Sequence, residues 1–142
     1  MAAIDAATLC LIDQVRAAYS LRPLRANQEL QAVASTQVRD MVHWNYFADN
    51  RPPEETPVSL IEATRYGHTA SLAVGQNIAW GTGAYATPAH VVREWMNSPP
   101  HREIMLTANF RDAGVSATAA VPSALEDGHP GATYAVEFGA RG

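Results

Sequence analysis

Ser98 and His101 set a hydroxyl and an imidazole three positions apart across Pro99-Pro100. Asp49 adds a carboxylate upstream. Together they supply the residue types of a Ser-His-Asp triad, in which the imidazole takes the hydroxyl proton and the acid orients the ring. That chemistry requires Ser98 to reach one ring nitrogen of His101 and Asp49 to reach the other. The same spacing more often makes a turn or cap in which the serine bonds nearby backbone. The chain has no Gly-x-Ser-x-Gly elbow and no evident oxyanion hole.

Metal chemistry is the other use for such residues. Zinc sites take three or four nitrogen, sulfur or carboxylate ligands. Asp49 and His101 supply two donors, whereas Gln76 and Ser98 offer a neutral amide and a neutral hydroxyl. His43, His68, His90 and His129 do not fall at metal-ligand spacing. Cys10 is the only cysteine, which excludes an internal disulfide and a cysteine-based metal site. It lies in the apolar run Leu9-Cys10-Leu11-Ile12 and reads as a small buried hydrophobe. These residues predict no metal and no cofactor.

The elements that must carry these groups follow from periodicity. Residues 5–19 read as a helix, with Leu9, Ile12, Val15 and Tyr19 on one face and Arg16 on another. Pro23 breaks it. Asn27 is an N-cap candidate for a helix from Gln28 to about Trp44, with Glu29 near its positive end. Leu30, Val33, Ala34, Val38, Met41 and Val42 form its apolar stripe. Residues 48–55 are a loop, in which Glu54 and Glu55 read as solvated acids, as do Glu126 and Asp127 further on. Thr56-Pro57 and Thr87-Pro88 each pair a capping residue with a first-turn proline. The first begins a helix running to Tyr66 and stopped by Gly67; the second begins one that Pro99-Pro100 ends. His101 to Leu106 could add one more turn.

Gly75 to Gly81 is extended, and two further strands lie near Asp112–Ala120 and Thr133–Phe138. In the last, Tyr134, Val136 and Phe138 point one way, and Ala135 and Glu137 the other. Asn77 is expected to fix the local turn, and Gly75 and Gly81 to permit unusual backbone angles or close packing. Tyr46, Phe47, Trp80 and Trp95 read as core or cleft-wall aromatics. Several helices with few strands predict an α+β layered domain.

With 142 residues and no linker long enough to divide them, residues 1–142 read as one domain. Hydrophobic content of 47% with 17% charged residues is that of a globular chain. A net charge of −4 and the lack of a basic run argue against nucleic acid. No stretch is long enough to span a membrane. Asp5 and Asp13 interrupt the first apolar residues, so no signal peptide is expected within this chain.

Five segments in combination resemble a known family. They are Leu11-Ile12-Asp13-Gln14-Val15-Arg16-Ala17-Ala18, Leu24-Arg25-Ala26-Asn27, Asn45-Tyr46-Phe47-Ala48-Asp49, Gly75-Gln76-Asn77-Ile78-Ala79-Trp80-Gly81 and Trp95-Met96-Asn97-Ser98-Pro99-Pro100-His101-Arg102. They resemble the CAP superfamily of cysteine-rich secretory, antigen-five and pathogenesis-related class-one proteins, in its bacterial SCP-like form. The resemblance covers roughly residues 8–139. It implies an α/β/α sandwich with a small mixed, mainly antiparallel sheet between helical layers.

It also implies a cleft lined by a tetrad, usually two His and two acids. The positions that match are Asp49, Gln76, Ser98 and His101. Only His101 keeps the residue of the eukaryotic pattern. Ser98 is the usual bacterial residue, while Asp49 and Gln76 depart from both patterns. The expected function is therefore that of a secreted, non-catalytic module, located outside the cell or in its envelope. It would bind a small ligand or an extracellular or envelope partner through Asp49, Gln76, Ser98 and His101. A protease-like or esterase-like hydrolase using the His101 region, with Ser98 and Asp49, is one alternative. Lipid or sterol binding, as in some eukaryotic members, is another.

Overall fold

The computed structural model describes residues 1–52 and 55–142, so the reading of Glu54 as a solvated acid lies outside the described residues. Five α-helices and four strands are described: α1 (Ala2–Ala18), β1 (Arg25–Ala26), α2 (Gln28–His43), α3 (Pro57–Glu62), β2 (Leu72–Thr82), α4 (Pro88–Met96), α5 (Pro99–Met105), β3 (Asp112–Thr118) and β4 (Gly131–Arg141). The sheet order is β1-β3-β4-β2. β1 runs parallel to β3, and β4 is antiparallel to both its neighbours. β2 is thus an edge strand.

Local chemistry accounts for the helix starts. The Asn27 side chain accepts from the Leu30 amide at 3.0 Å, Thr56 from Ser59 at 3.1 Å, and Thr87 from His90 at 3.2 Å. Each satisfies an amide that the first turn leaves free. Pro99-Pro100 does more than end α4: the two prolines form the first turn of α5, where a missing N–H costs nothing. The helix after Pro57 is shorter than its pattern suggests. It stops at Glu62, and a single 3-10 turn capped by Thr64 covers Arg65–Gly67.

The sheet is covered on both faces, giving the α/β/α sandwich. On one side Ile12, Val91, Val92, Trp95 and Met105 pack with Val115, Tyr134, Val136 and Phe138. On the other, Ala34, Val38 and Met41 meet Ile78 and Ala135. Leu30 and Val33 meet Ile61 and Tyr66, with Leu72 and Val74 against them. The close approach of α2 to the sheet needs Gly114, where a Cβ would stand 2.0 Å from the Gln31 nitrogen. Gly81 likewise permits close packing, since a Cβ there would lie 2.1 Å from the Tyr85 carbonyl oxygen. Neither Gly75 nor Gly81 has a positive φ, so close packing is what both provide.

Two expectations for α1 are corrected. Its buried line is Thr8, Ile12 and Arg16, at four-residue spacing. Cys10 lies two residues from both Thr8 and Ile12, on the opposite side, and is exposed. Arg16 is fully buried. Its guanidinium donates to the carbonyls of Arg22 (2.9 Å), Met105 (2.9 Å), Thr107 (3.0 Å) and Phe110 (3.4 Å). A planar fork of five donors suits several carbonyls at once. Arg16 therefore ties α1 to the end of α5 and to the chain that leads into β3.

Candidate functional site

The cleft follows the outer edge of β2. One wall is the segment that leaves α2, and the other is the end of α4 and the start of α5. Asn45 turns the chain out of α2 with φ 53, a left-handed conformation that asparagine tolerates. Its side chain accepts from the Ala124 amide at 2.9 Å. Two contacts then hold the loop: Gln37 donates to the Ala48 carbonyl at 2.7 Å, and Arg51 pairs with Asp40. Asp49 lies between these anchor points, with its side chain exposed.

From the opposite wall, the Trp95 indole N–H donates to the Ile78 carbonyl at 3.0 Å, so α4 satisfies an outward-facing group of the edge strand. The Asn77 amide donates to the His101 carbonyl at 3.1 Å, which ties β2 to α5. Asn77 thus anchors α5 rather than fixing a turn. A cavity of about 390 Å³ lies between the walls, lined by Phe47, Ile78, Trp80, Trp95, Ser98 and His101, among others. Phe47 and Trp80 are 38% and 40% exposed and Trp95 only 2%, so the first two form the rim and the last the interior wall.

Ser98 is the N-cap residue of α5, but its hydroxyl does not cap the helix. It lies 2.7 Å from Nδ1 of His101. The expectation that Ser98 bonds nearby backbone is corrected: its hydroxyl is spent on the His101 ring, and Pro100 removes one of the two amides an N-cap side chain can serve. Asp49 makes no hydrogen bond to the His101 ring among the described residues. Partial burial raises the Asp49 carboxyl above its ordinary value, and the charge of His101 lowers it in part.

Gln76 is buried on the α2 side of β2, directly across from Glu137 on β4. Its side-chain amide donates to Oε1 of Glu137. Glu137 is fully buried. Burial pushes its carboxyl up to about 8, the Gln76 amide lowers it, and the Asp49 charge raises it again. Strand alternation had already turned Glu137 away from Tyr134, Val136 and Phe138, but it does not reveal that the second face is covered by α2. Gln37 is also fully buried. Its signal was its place four residues after Val33 and four before Met41, on the buried stripe of α2. Val42, counted in that stripe, is only half-buried.

The donors at these four positions do not suit a divalent ion. Gln76 spends its amide on Glu137, and Ser98 spends its hydroxyl on His101. Among the described residues no three His, Cys, Asp or Glu side chains gather at metal-binding spacing. What the arrangement offers is a hydrogen-bonding cleft with apolar walls, a serine-held imidazole and a buried acid-amide pair beneath. No described helix is long and apolar enough to cross a membrane.

Comparison with known proteins agrees with this architecture. A family model described as CAP, the cysteine-rich secretory protein family, matches residues 9–120. The uncharacterized protein YkwD of Bacillus subtilis is 32% identical over 105 residues, which are 74% of this chain and 38% of that protein. The chain therefore spans less than two fifths of that relative's length. Two solved structures share the fold. An outer surface protein from Borrelia burgdorferi has a TM-score of 0.76 at 20% identity, covering 94% of this chain and 90% of that one. An extracellular Bacillus anthracis protein containing an SCP domain has a TM-score of 0.74 at 22% identity, covering 96% and 40%.

Proposed function

The chain belongs to the cysteine-rich secretory protein (CAP) family, and on that premise we propose that it is a non-catalytic module that binds a ligand through the β2-edge cleft. Residues 1–142 act as one domain in this reading, with Asp49, Gln76, Ser98 and His101 as its binding residues. The pairing of Ser98 with Nδ1 of His101 at 2.7 Å carries the reading. Both groups belong to one helical turn, and no acid holds the ring's other nitrogen among the described residues. A serine in that position orients the imidazole and leaves Nε2 for a ligand. The surrounding cavity is mostly apolar-walled with a few polar groups, as small-molecule sites are.

Placement outside the cytoplasm is part of the proposal. It draws on the shared fold with a Borrelia burgdorferi outer surface protein and an extracellular Bacillus anthracis protein. The same Ser98–His101 contact also supports a second reading, a hydrolase in which His101 takes the Ser98 proton.

One experiment separates the two. The protein is incubated with p-nitrophenyl butyrate and with casein, beside His101→Ala and Ser98→Ala variants. The binding reading expects no turnover above the buffer rate. Hydrolysis lost in both variants would replace it with the hydrolase.

A further inference from the structure

We propose that the outer edge of β2 receives an extended polypeptide segment, which adds to the sheet as a short strand beside Ile78–Trp80 and sets an apolar side chain against Trp80 and Phe47. The proposal rests on the binding reading above and names the ligand class for that cleft.

Strand register fixes which backbone groups face the cleft. Thr82 stands opposite Gly131 on β4, and the next amide, that of Gly83, donates to the Pro130 carbonyl at 2.7 Å. Bonded positions alternate along an antiparallel strand. Asn77, Ala79 and Gly81 therefore turn their amides and carbonyls to β4, whereas Ile78 and Trp80 turn theirs outward. The Trp95 indole agrees, since it reaches the Ile78 carbonyl from the cleft side. Among the described residues the amides of Ile78 and Trp80 and the Trp80 carbonyl have no partner. Ile78, Ala79 and Trp80 all line the cavity, so this stretch of edge borders it.

The composition of β2 and its surroundings say what pairs there. Edge strands are commonly kept from pairing by charge or proline. Residues 72–82 contain no Lys, Arg, Asp, Glu or Pro. The main chain of another extended segment complements an outward amide and an outward carbonyl together, and its alternate side chains supply specificity. The segment's residue across from Trp80 lies on the same face as Trp80. There the exposed rings of Phe47 and Trp80 form an apolar rim. His101 adds a side-chain contact, with Nδ1 held by Ser98 and Nε2 left for a peptide group. The edge is recessed between the loop after α2 and the start of α5, and Trp95 occupies the Ile78 carbonyl. A single chain enters such a gap, whereas the edge of a second folded sheet is held off by the walls.

The probes are blocked pentapeptides, acetyl-Ser-Thr-X-Thr-Ser-amide with Val, Phe or Tyr at X. Amide hydrogen exchange of the full chain is followed by NMR. In the free protein the Ile78 and Trp80 amides should exchange faster than those of Asn77 and Ala79, and peptide should protect them. Methylating one peptide nitrogen at a time should weaken binding about tenfold or more at alternate positions and leave it unchanged at those between. Shifts at the cleft without that alternation would overturn strand pairing while leaving the binding reading intact. Equal exchange in the free protein would show the edge already covered and overturn it too. Protection that rises with protein concentration in the absence of peptide would assign the edge to a second copy instead. No protection with any of the three peptides would also overturn the proposal. Cleavage of a peptide during the titration would overturn the binding reading itself.

Discussion

The side-chain amide of Gln76 donates to the Glu137 carboxyl across the β2–β4 pair, so an acid lies one strand further in from the edge amide. An amide on the edge strand faces an acid on its neighbour, and the cleft keeps a carboxyl beneath its floor.

The Glu137 carboxyl makes the fold's stability depend on pH. Its folded value is about 8 against an ordinary 4.5. The folded state therefore holds a proton that the unfolded state has lost between those values. Stability contributed by the neutral acid is complete below about 4.5, falls as pH rises towards about 8, and then levels off. The loss is on the order of a few kcal/mol. Urea denaturation of Glu137→Gln should show a flatter profile than the parent over this window. Parallel profiles for the two proteins would show that Glu137 does not titrate as its burial demands.

Gln76→Glu should be costly on its own, because it sets two carboxyls against each other in a buried pair. Adding Glu137→Gln should recover most of the loss by exchanging the two groups. A double-mutant cycle at alkaline pH should give a favourable coupling of about 0.5–3 kcal/mol. Additive effects would mean that the two side chains do not form the pair described.

Arg16 is a structural cation rather than a surface one. Arg16→Lys cannot reproduce a planar fork over four carbonyls, and Arg16→Ala leaves those carbonyls without their donor. Both should destabilise, Arg16→Ala by about 3 kcal/mol or more. Chemical denaturation would detect this, and a change of only a few tenths of a kcal/mol would remove Arg16 from the framework.

On the α2 stripe, Met41→Ala and Val38→Ala should cost about 1–5 kcal/mol, since both residues are buried against the sheet. Denaturation midpoints that barely move would place the helix outside the core.

What could be read from the sequence was local. The cap at Asn27, the stripe of α2 and the two Thr-Pro starts depend on neighbours within a few positions, and the structure keeps them. The nearness of Ser98 to His101 has the same origin. The setting of Arg16 was not legible, because two of its acceptors lie 89 and 91 residues away. Gln76 and Glu137 are separated by 61 residues and meet only through strand register. Cys10 was misread because an apolar run does not say which side of a helix is covered. The two-residue strand β1 was missed because its pairing with Asp112 and Ala113 is its whole definition.

In the reading proposed for it, this cleft is a hydrogen-bonding site rather than a metal site. Calorimetric titration of zinc into tag-free protein near neutral pH tests it most directly. A neutral amide, a hydroxyl committed to His101 and an acid committed to Gln76 leave too few free ligands for a structural or catalytic site. No saturable one-to-one binding in the sub-micromolar range is expected. A sub-micromolar site of that stoichiometry, lost in His101→Ala, would contradict it.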